Sequence, residues 1–304
     1  MDHYVVAGNP VEHSQSPFIH AEFARQTGQV MDYGRVLWPL GGFTESLRAL
    51  VASGAKGCNI TVPFKFDAFR AAQRLTPRAA LAQAANVLCF DAQGWLADNT
   101  DGAGLVNDIE RNAGVALAGK RVLLIGAGGA AAGVLGPLLA AGAREVVVVN
   151  RTLAKAQVLV ERHAALAVEC VLQARELGAA GMAFDVVVNA TASSLQGAAV
   201  PVPHSVLAPG TLALDMMYGA AAQPFLDWAA AHGATGRDGL GMLVEQAAEA
   251  FELWRGVRPA TAPVLAALRE RMPLAAGRAE ARGEARGEAR AEARAEARPD
   301  ARAE

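Results

Sequence analysis

Along most of the chain, short apolar runs alternate with longer stretches in which apolar residues recur every three to four positions. Runs of strand length stand at residues 4–7, 35–38, 57–62, 87–90, 122–125, 145–149, 185–189 and 212–216. Helix-length patterns separate most of them, and that alternation predicts βαβ units with parallel sheets. The clearest helix covers residues 240–254, where Leu240, Leu243, Val244, Ala247, Phe251 and Trp254 share a face and Glu245, Glu249 and Glu252 turn outward.

Two stretches test that reading. The uncharged segment 122–143 is long enough to span a bilayer, yet it contains six glycines and Pro137. Its order of apolar run, glycine cluster and small-residue helix fits a buried strand, turn and helix, so no membrane contact is expected. The opening MDHYVVAGNP has no basic segment followed by a long apolar one; it predicts a strand entering a Gly-Asn-Pro turn, with no secretion signal.

Near the end the pattern changes to a four-residue Ala/Glu/Arg period. Such a period stacks Glu280, Glu284 and Glu288 on one helical face, and like charges at that spacing repel. From Arg278 onward there are two glycines, a proline and no aliphatic side chain larger than alanine, and the low-complexity tail 273–304 is expected to be disordered or a fraying helix. From Arg278 onward its seven arginines balance seven acids.

Composition then narrows the class. At 304 residues and 52% hydrophobic, the chain has room for two domains with cores of their own. Its 28 basic and 30 acidic residues leave a net charge of −2, which supplies no basic field to hold nucleic acid. Cys58, Cys89 and Cys170 lack the spacing of a metal or redox pair and read as reduced thiols in a cytoplasmic protein without a metal site.

The chemistry begins at RVLLIGAGGAAAGVL. An apolar strand runs directly into Gly126-x-Gly128-x-x-Ala131, and a small-residue helix follows. In this dinucleotide-binding arrangement Gly126 permits the turn, Gly128 lets backbone approach a pyrophosphate, Ala131 allows close packing, and the helix start favours an anion. Gly126, Ala127, Gly128, Gly129 and Ala130 are therefore candidate cofactor residues. The next strand ends at Asn150, 24 positions after Gly126, where an acid often binds a ribose hydroxyl. Asn150 is neutral, and Arg151, Thr152 and Lys155 follow it, which favours NADP over NAD.

Three polar motifs precede the fingerprint: GNPVEHSQSP, NITVPFK and ADNTDG, all at strand ends or in loops. Read singly, Ser14 and Ser16 could cap a helix, Thr61 could be a half-buried strand residue and Lys65 a surface cation. Read with GAGGAA, NRT at 150–152, NAT at 189–191 and DGLGMLVEQAA from Asp238, they resemble the shikimate dehydrogenase family, in the family's motif order.

That resemblance implies NADPH-dependent, reversible reduction of 3-dehydroshikimate to shikimate in aromatic amino acid biosynthesis. It implies Lys65 and Asp101 as the catalytic pair, Ser14 and Ser16 as donors to the substrate carboxylate, and Thr61, Asn86, Asp101 and Gln246 around the ring hydroxyls. Tyr218 would stand near the substrate, Thr191 and Met216 beside the cofactor, and Gly239 near the nicotinamide. A lysine suits the chemistry, since its ammonium can stabilise charge growing on a ketone oxygen and then give up a proton. His13 and His20 are read as structural. Two departures bear on substrate affinity: Val87 follows Asn86 where the family often has threonine, and GAAAQP after Tyr218 lacks a common charged residue.

The fold expected is α/β with two domains. Residues 1–102 with 239–272 would form a mainly parallel, discontinuous substrate-binding catalytic domain, and 103–238 a Rossmann-type, doubly wound NADP-binding domain. The active site would be the cleft between them. A quinate or mixed quinate/shikimate enzyme and a noncatalytic NADPH sensor are the rivals, and a homodimer is left open.

Overall fold

The computed structural model describes residues 1–191 and 199–272; the expected tail, 273–304, lies outside them. The first half of the chain contributes β1 (Asp2–Gly8), α1 (Ser16–Thr27), β2 (Met31–Leu37), α2 (Phe43–Ala52), β3 (Gly57–Ile60), α3 (Lys65–Ala71), β4 (Arg74–Leu75), α4 (Pro77–Ala82), β5 (Val87–Asp91), β6 (Gly94–Asp98) and α5 (Asp101–Asn107). Then come β7 (Arg121–Ile125), α6 (Gly129–Ala140), β8 (Glu145–Val149), α7 (Leu153–His163), β9 (Val171–Arg175), β10 (Val186–Asn189), β11 (Leu212–Asp215), α8 (Gln223–Ala231), β12 (Thr235–Arg237), α9 (Leu240–Arg255) and α10 (Ala262–Arg271).

These strands form two sheets. The second has the order β12-β11-β10-β7-β8-β9 with every neighbour parallel, the doubly wound arrangement in which the order reverses at β7. Its central strands are near-continuous runs of Val, Leu and Ile because helices cover both faces.

The first sheet runs β2-β1-β3-β5-β6-β4 and is mainly parallel, as expected, with β5 as the exception. β5 lies antiparallel to both β3 and β6. The cause is local: only Ala92 and Gln93 separate β5 from β6, too few for a crossover. Asp91 accepts the Gln93 N–H at 2.8 Å and Gly94 takes φ +103°, closing the hairpin.

Helices α5, α6 and α9 join the two sheets through glycines. A Cβ on Gly102 would lie 2.2 Å from Pro137 Cγ and 2.6 Å from the Gly133 carbonyl oxygen. Pro137 has no N–H to give that carbonyl, so α5 packs where α6 lacks a helical hydrogen bond. A Cβ on Gly104 would lie 2.6 Å from Gln246 Cβ, and one on Gly133 would lie 2.6 Å from the Asn99 amide oxygen. The apolar core at this seam mixes Ala82, Leu105, Val134, Leu135 and Met242. Among the described residues no helix is long and apolar enough to cross a membrane.

Candidate active site

Lys65 opens α3 and Asp101 opens α5, and their side chains meet with Nζ 2.5 Å from Oδ2. Both are well shielded, at 14% and 7% exposure. Local chain geometry delivers them. After β3, Phe64 N–H donates to the Thr61 carbonyl at 3.1 Å, and the Lys65 carbonyl accepts from Ala85 at 2.9 Å. The lysine backbone is thereby tied to the segment carrying Asn86.

Asn86 organises the rest. Its Nδ2 stands 3.0 Å from Asp101 Oδ1, 3.0 Å from Gln246 Oε1 and 2.8 Å from Thr100 Oγ, while its Oδ1 accepts the Thr100 N–H at 2.8 Å. An amide has two hydrogens, so three acceptors compete for them. Gln246 donates from Nε2 to the Leu243 carbonyl at 2.9 Å, which turns its own oxygen toward Asn86. Both Asp101 carboxylate oxygens therefore have a donor and the group has little rotational freedom.

The loops after β1 and β3 are stitched together beside this cluster. Asn9 N–H donates to the Val62 carbonyl at 2.9 Å, and a Cβ on Gly8 would lie 2.2 Å from Thr61 Cγ2. Ser14 Oγ lies 3.2 Å from Ser16 Oγ and accepts the Ser16 N–H at 3.3 Å. Arg35 donates twice to the Ser14 carbonyl, at 2.9 and 2.7 Å. Burial pushes the Tyr218 phenol up, with the Gln15 backbone and the Arg35 charge acting against it, so the turn after β11 reaches the serine segment.

On the nucleotide side, Gly126 takes φ +115° and its N–H donates to the Val149 carbonyl at 2.7 Å. No side chain caps α6, and a Cβ placed on Gly128 would meet nothing within 4 Å. One placed on Gly129 would lie 3.3 Å from Lys65 Cβ and 3.7 Å from the Phe66 ring, so the glycine turn faces the lysine. Thr191 donates to Asn189 at 2.7 Å, and Asn189 donates to Asp215 at 3.0 Å, which ties together the ends of β10 and β11. A Cβ on Gly239 would fall 2.4 Å from the Met216 carbonyl, so only glycine fits there. Asn150 donates to the Thr152 carbonyl at 2.9 Å. Arg151 and Lys155 are exposed, without an ion-pair partner among the described residues.

Comparison with known proteins matches this arrangement along the chain. Residues 6–88 match the shikimate dehydrogenase substrate binding domain, 108–197 match shikimate / quinate 5-dehydrogenase, and 239–269 match the shikimate 5'-dehydrogenase C-terminal domain. A protein of Methylibium petroleiphilum named shikimate dehydrogenase (NADP(+)) is 64% identical over 276 residues, covering 88% of this chain and 94% of that one. The chain belongs to the shikimate dehydrogenase family. Another member, from an Acidovorax species, is 63% identical over 88% of this chain and 96% of its own length. Among solved structures, the Ael1 enzyme of Pseudomonas putida aligns with a TM-score of 0.81 at 46% identity, covering 88% of this chain and 98% of that one. The Thermus thermophilus shikimate 5-dehydrogenase in complex with NADP(H) and shikimate aligns at 0.77 with 29% identity, covering 89% and 99%.

Of the residues singled out in this family member's sequence, Lys65, Asp101, Asn86 and Gln246 form one hydrogen-bonded cluster. Ser14 and Ser16 form a second, to which Tyr218 adds. Ser14 is not the boundary residue of α1, which is Gln15, but its Oγ accepts the N–H of Ser16, the first residue of that helix. His13 is exposed, and His20 is buried in an aromatic stack 4.2 Å from Tyr33. The cysteines are free. Reasoning from sequence missed Thr100, which sits between Asn86 and Gln246, and Asp98 with its partners Thr76 and Arg78. The signal was present, because polar residues fill ADNTDG where a strand end would otherwise be apolar.

Proposed function

We propose that this chain catalyses the reversible, NADP(H)-dependent reduction of 3-dehydroshikimate to shikimate in aromatic amino acid biosynthesis, in the cytoplasm. In this reading residues 1–102 with 239–272 act as the substrate-binding catalytic domain and 103–238 as the NADP-binding domain. The observation that carries it is the shielded Lys65–Asp101 pair, braced by Asn86 and facing the glycine turn.

The residues present fit the cofactor. The space beside Gly128 is open, the α6 start has no competing side-chain cap, and Arg151 and Lys155 are free to meet a 2′-phosphate that Asn150 does not repel. Gly126, Ala127, Gly128, Gly129 and Ala130 would hold the pyrophosphate, Asn150, Arg151, Thr152 and Lys155 the phosphorylated ribose, and Thr191, Met216 and Gly239 the nicotinamide end. When bound, the nicotinamide supplies the hydride.

The chain does the remainder. Ser14 and Ser16 donate to the substrate carboxylate, and Thr61, Asn86, Asp101 and Gln246 hold the ring hydroxyls, with Tyr218 alongside. As negative charge grows on the ketone oxygen, the Lys65 ammonium stabilises it and releases one proton from Nζ to that oxygen. Asp101 remains a carboxylate and keeps Nζ aimed. Lys65, left neutral, regains its proton from water.

Absorbance at the nicotinamide band tests the proposal with shikimate or quinate, each with NADP or NAD. Fast reduction of NADP by shikimate alone is the expected outcome. Comparable quinate turnover with NAD would replace it by a mixed enzyme, and silence in all four mixtures from protein that binds NADPH would leave a sensor. Sedimentation of the same protein reads whether it is a homodimer.

A further inference from the structure

Behind the catalytic cluster lies an ion-paired group that the proposed chemistry does not use. Arg78, on α4, donates from Nε to Asp98 Oδ1 at 2.7 Å and from Nη2 to Asp98 Oδ2 at 2.6 Å. Its third nitrogen, Nη1, donates to Glu249 Oε2 at 3.1 Å. Asp98 is 1% exposed and also accepts the Thr76 hydroxyl at 2.5 Å and the Asn99 N–H at 2.7 Å. Burial alone would raise its pKa, but Arg78 and Thr76 hold the carboxyl below its usual range.

The two acids occupy telling places. Asp98 ends β6 and leads directly into Asn99, Thr100 and Asp101, and the Asp101 N–H donates to the Asn99 side chain at 3.2 Å. Glu249 follows Gln246 by one turn of α9. Arg78, Asp98, Asp101, Asn86, Gln246 and Glu249 thus close a ring, with the catalytic cluster on one side and the Arg78 guanidinium on the other, while Arg258 pairs with the second oxygen of Glu249.

We infer that Arg78 is a positioning residue, tying the strand end that delivers Asp101 to the helix that delivers Gln246 and so fixing the spacing of the Asn86–Asp101–Gln246 cluster. The inference rests on the function proposed above. Arginine suits the task because its rigid fork reaches both oxygens of one acid and still offers a nitrogen to another, whereas a lysine ammonium is a single point charge.

Two variants separate positioning from folding. Arg78→Lys keeps a cation beside Asp98 but cannot make the three bonds at once. Glu249→Ala cuts the α9 arm, together with the separate ion pair of Glu249 to Arg258, and leaves the buried Asp98 its arginine. Both should bind NADPH within about 2-fold of wild type by nicotinamide fluorescence, while kcat for shikimate oxidation falls about 10-fold or more in Arg78→Lys. In a Gln246→Ala background the further loss from Arg78→Lys should shrink below about 3-fold, because both changes act on one alignment. Folded Arg78→Lys protein with wild-type kcat, or losses that multiply in the double variant, would overturn the inference. Hydrogen exchange decides the matter even without turnover. Amides of residues 99–101 should exchange about 10-fold faster in both variants with those of β7 unchanged, and unaltered exchange at 99–101 would refute the clamp. Wild-type protein inert toward shikimate would instead count against the proposed reaction.

Discussion

In the sheet built on β7, β8 and β10, strand after strand is Val, Leu and Ile at 0% exposure, whereas the first sheet and the loops at its edge bury Asn59, Asn86, Asp98, Asn99, Thr100 and Asp101. The first kind of core requires only volume and pattern. In the second, every buried polar group needs a partner, since an unpaired one loses its hydration without replacement. Asn59 accepts from Tyr33 at 2.6 Å, Asn99 donates to the Ala84 carbonyl at 2.9 Å, Asp98 accepts from Arg78 and Thr76, and Thr100 and Asp101 are joined through Asn86. The centre of the second sheet, whose buried Asn189 and Asp215 stand at strand ends, therefore resembles a scaffold and the polar region of the first a set of mutually dependent contacts, and substitutions should affect the two differently.

The largest effect is expected at Lys65. Lys65→Ala should lower kcat by about 10²- to 10⁴-fold, the usual scale for a positioned proton donor. NADPH titration by fluorescence should give an affinity near that of wild type. An active variant would remove the lysine from the mechanism and blur the division between the halves.

Arg151→Ala should do the reverse. Losing a charge-assisted contact to the 2′-phosphate should weaken NADPH by about 10- to 100-fold and leave kcat at saturation nearly intact. Steady-state kinetics with NADPH and NADH side by side checks this, and equal losses for both cofactors would detach Arg151 from the phosphate.

At the seam, Gly133→Ala puts a methyl 2.6 Å from the Asn99 amide oxygen, which is buried and cannot swing away. Urea denaturation should show a loss of about 1–3 kcal/mol, the usual range for overpacking. A neutral result would mean that α5 and α6 slide apart at little cost.

The smallest effect belongs to His20. Burial drives its pKa down to about 3, with the neighbouring Asn59 side chain acting against it. The unfolded chain binds a proton near pH 6.5, while the folded chain resists it down to about 3. Stability is therefore fully present above about 6.5 and declines as pH falls toward 3. Replacing the ring by leucine should reduce the stability difference between pH 7 and 5.5 by about 1 kcal/mol in urea titrations. An unchanged slope would show that His20 protonates while folded.

Much of this contrast is legible in the sequence itself. The uninterrupted runs at 122–125, 145–149 and 185–189 mark buried parallel strands because nothing polar interrupts them, and the glycine turn marks the crossing point. β9 and β12 are not legible, because VLQAR and TGR are short edge strands that mix polar and apolar residues without a clear alternation. The β5–β6 hairpin is hidden for another reason, since Asp-Ala-Gln-Gly is a weak turn signal that bonds along the backbone resolve. At the site, Lys65, Asp101, Asn86 and Gln246 are visible as motif residues. Their assembly is not, for it requires knowing that α9 returns beside α5. Arg78 is harder still. In TPRAALA it reads as an ordinary exposed helix cation, and only Asp98 and Glu249, remote from each other in sequence, give it a purpose.

The return of α9 also orders the birth of the molecule. One face of the first sheet is covered by Ile19 and Phe23 of α1 together with Leu240, Val244, Ala247 and Phe251 of α9, and by Val264 and Leu268 of α10. On a ribosome the strands of that sheet emerge first with α1, yet the other two covering helices, α9 and α10, are made last. The intervening β7–β12 unit is contiguous and can fold as soon as it leaves the exit tunnel. Through that interval the earlier sheet keeps an apolar face open to water. The oldest part of the nascent chain is thus the last to complete its core.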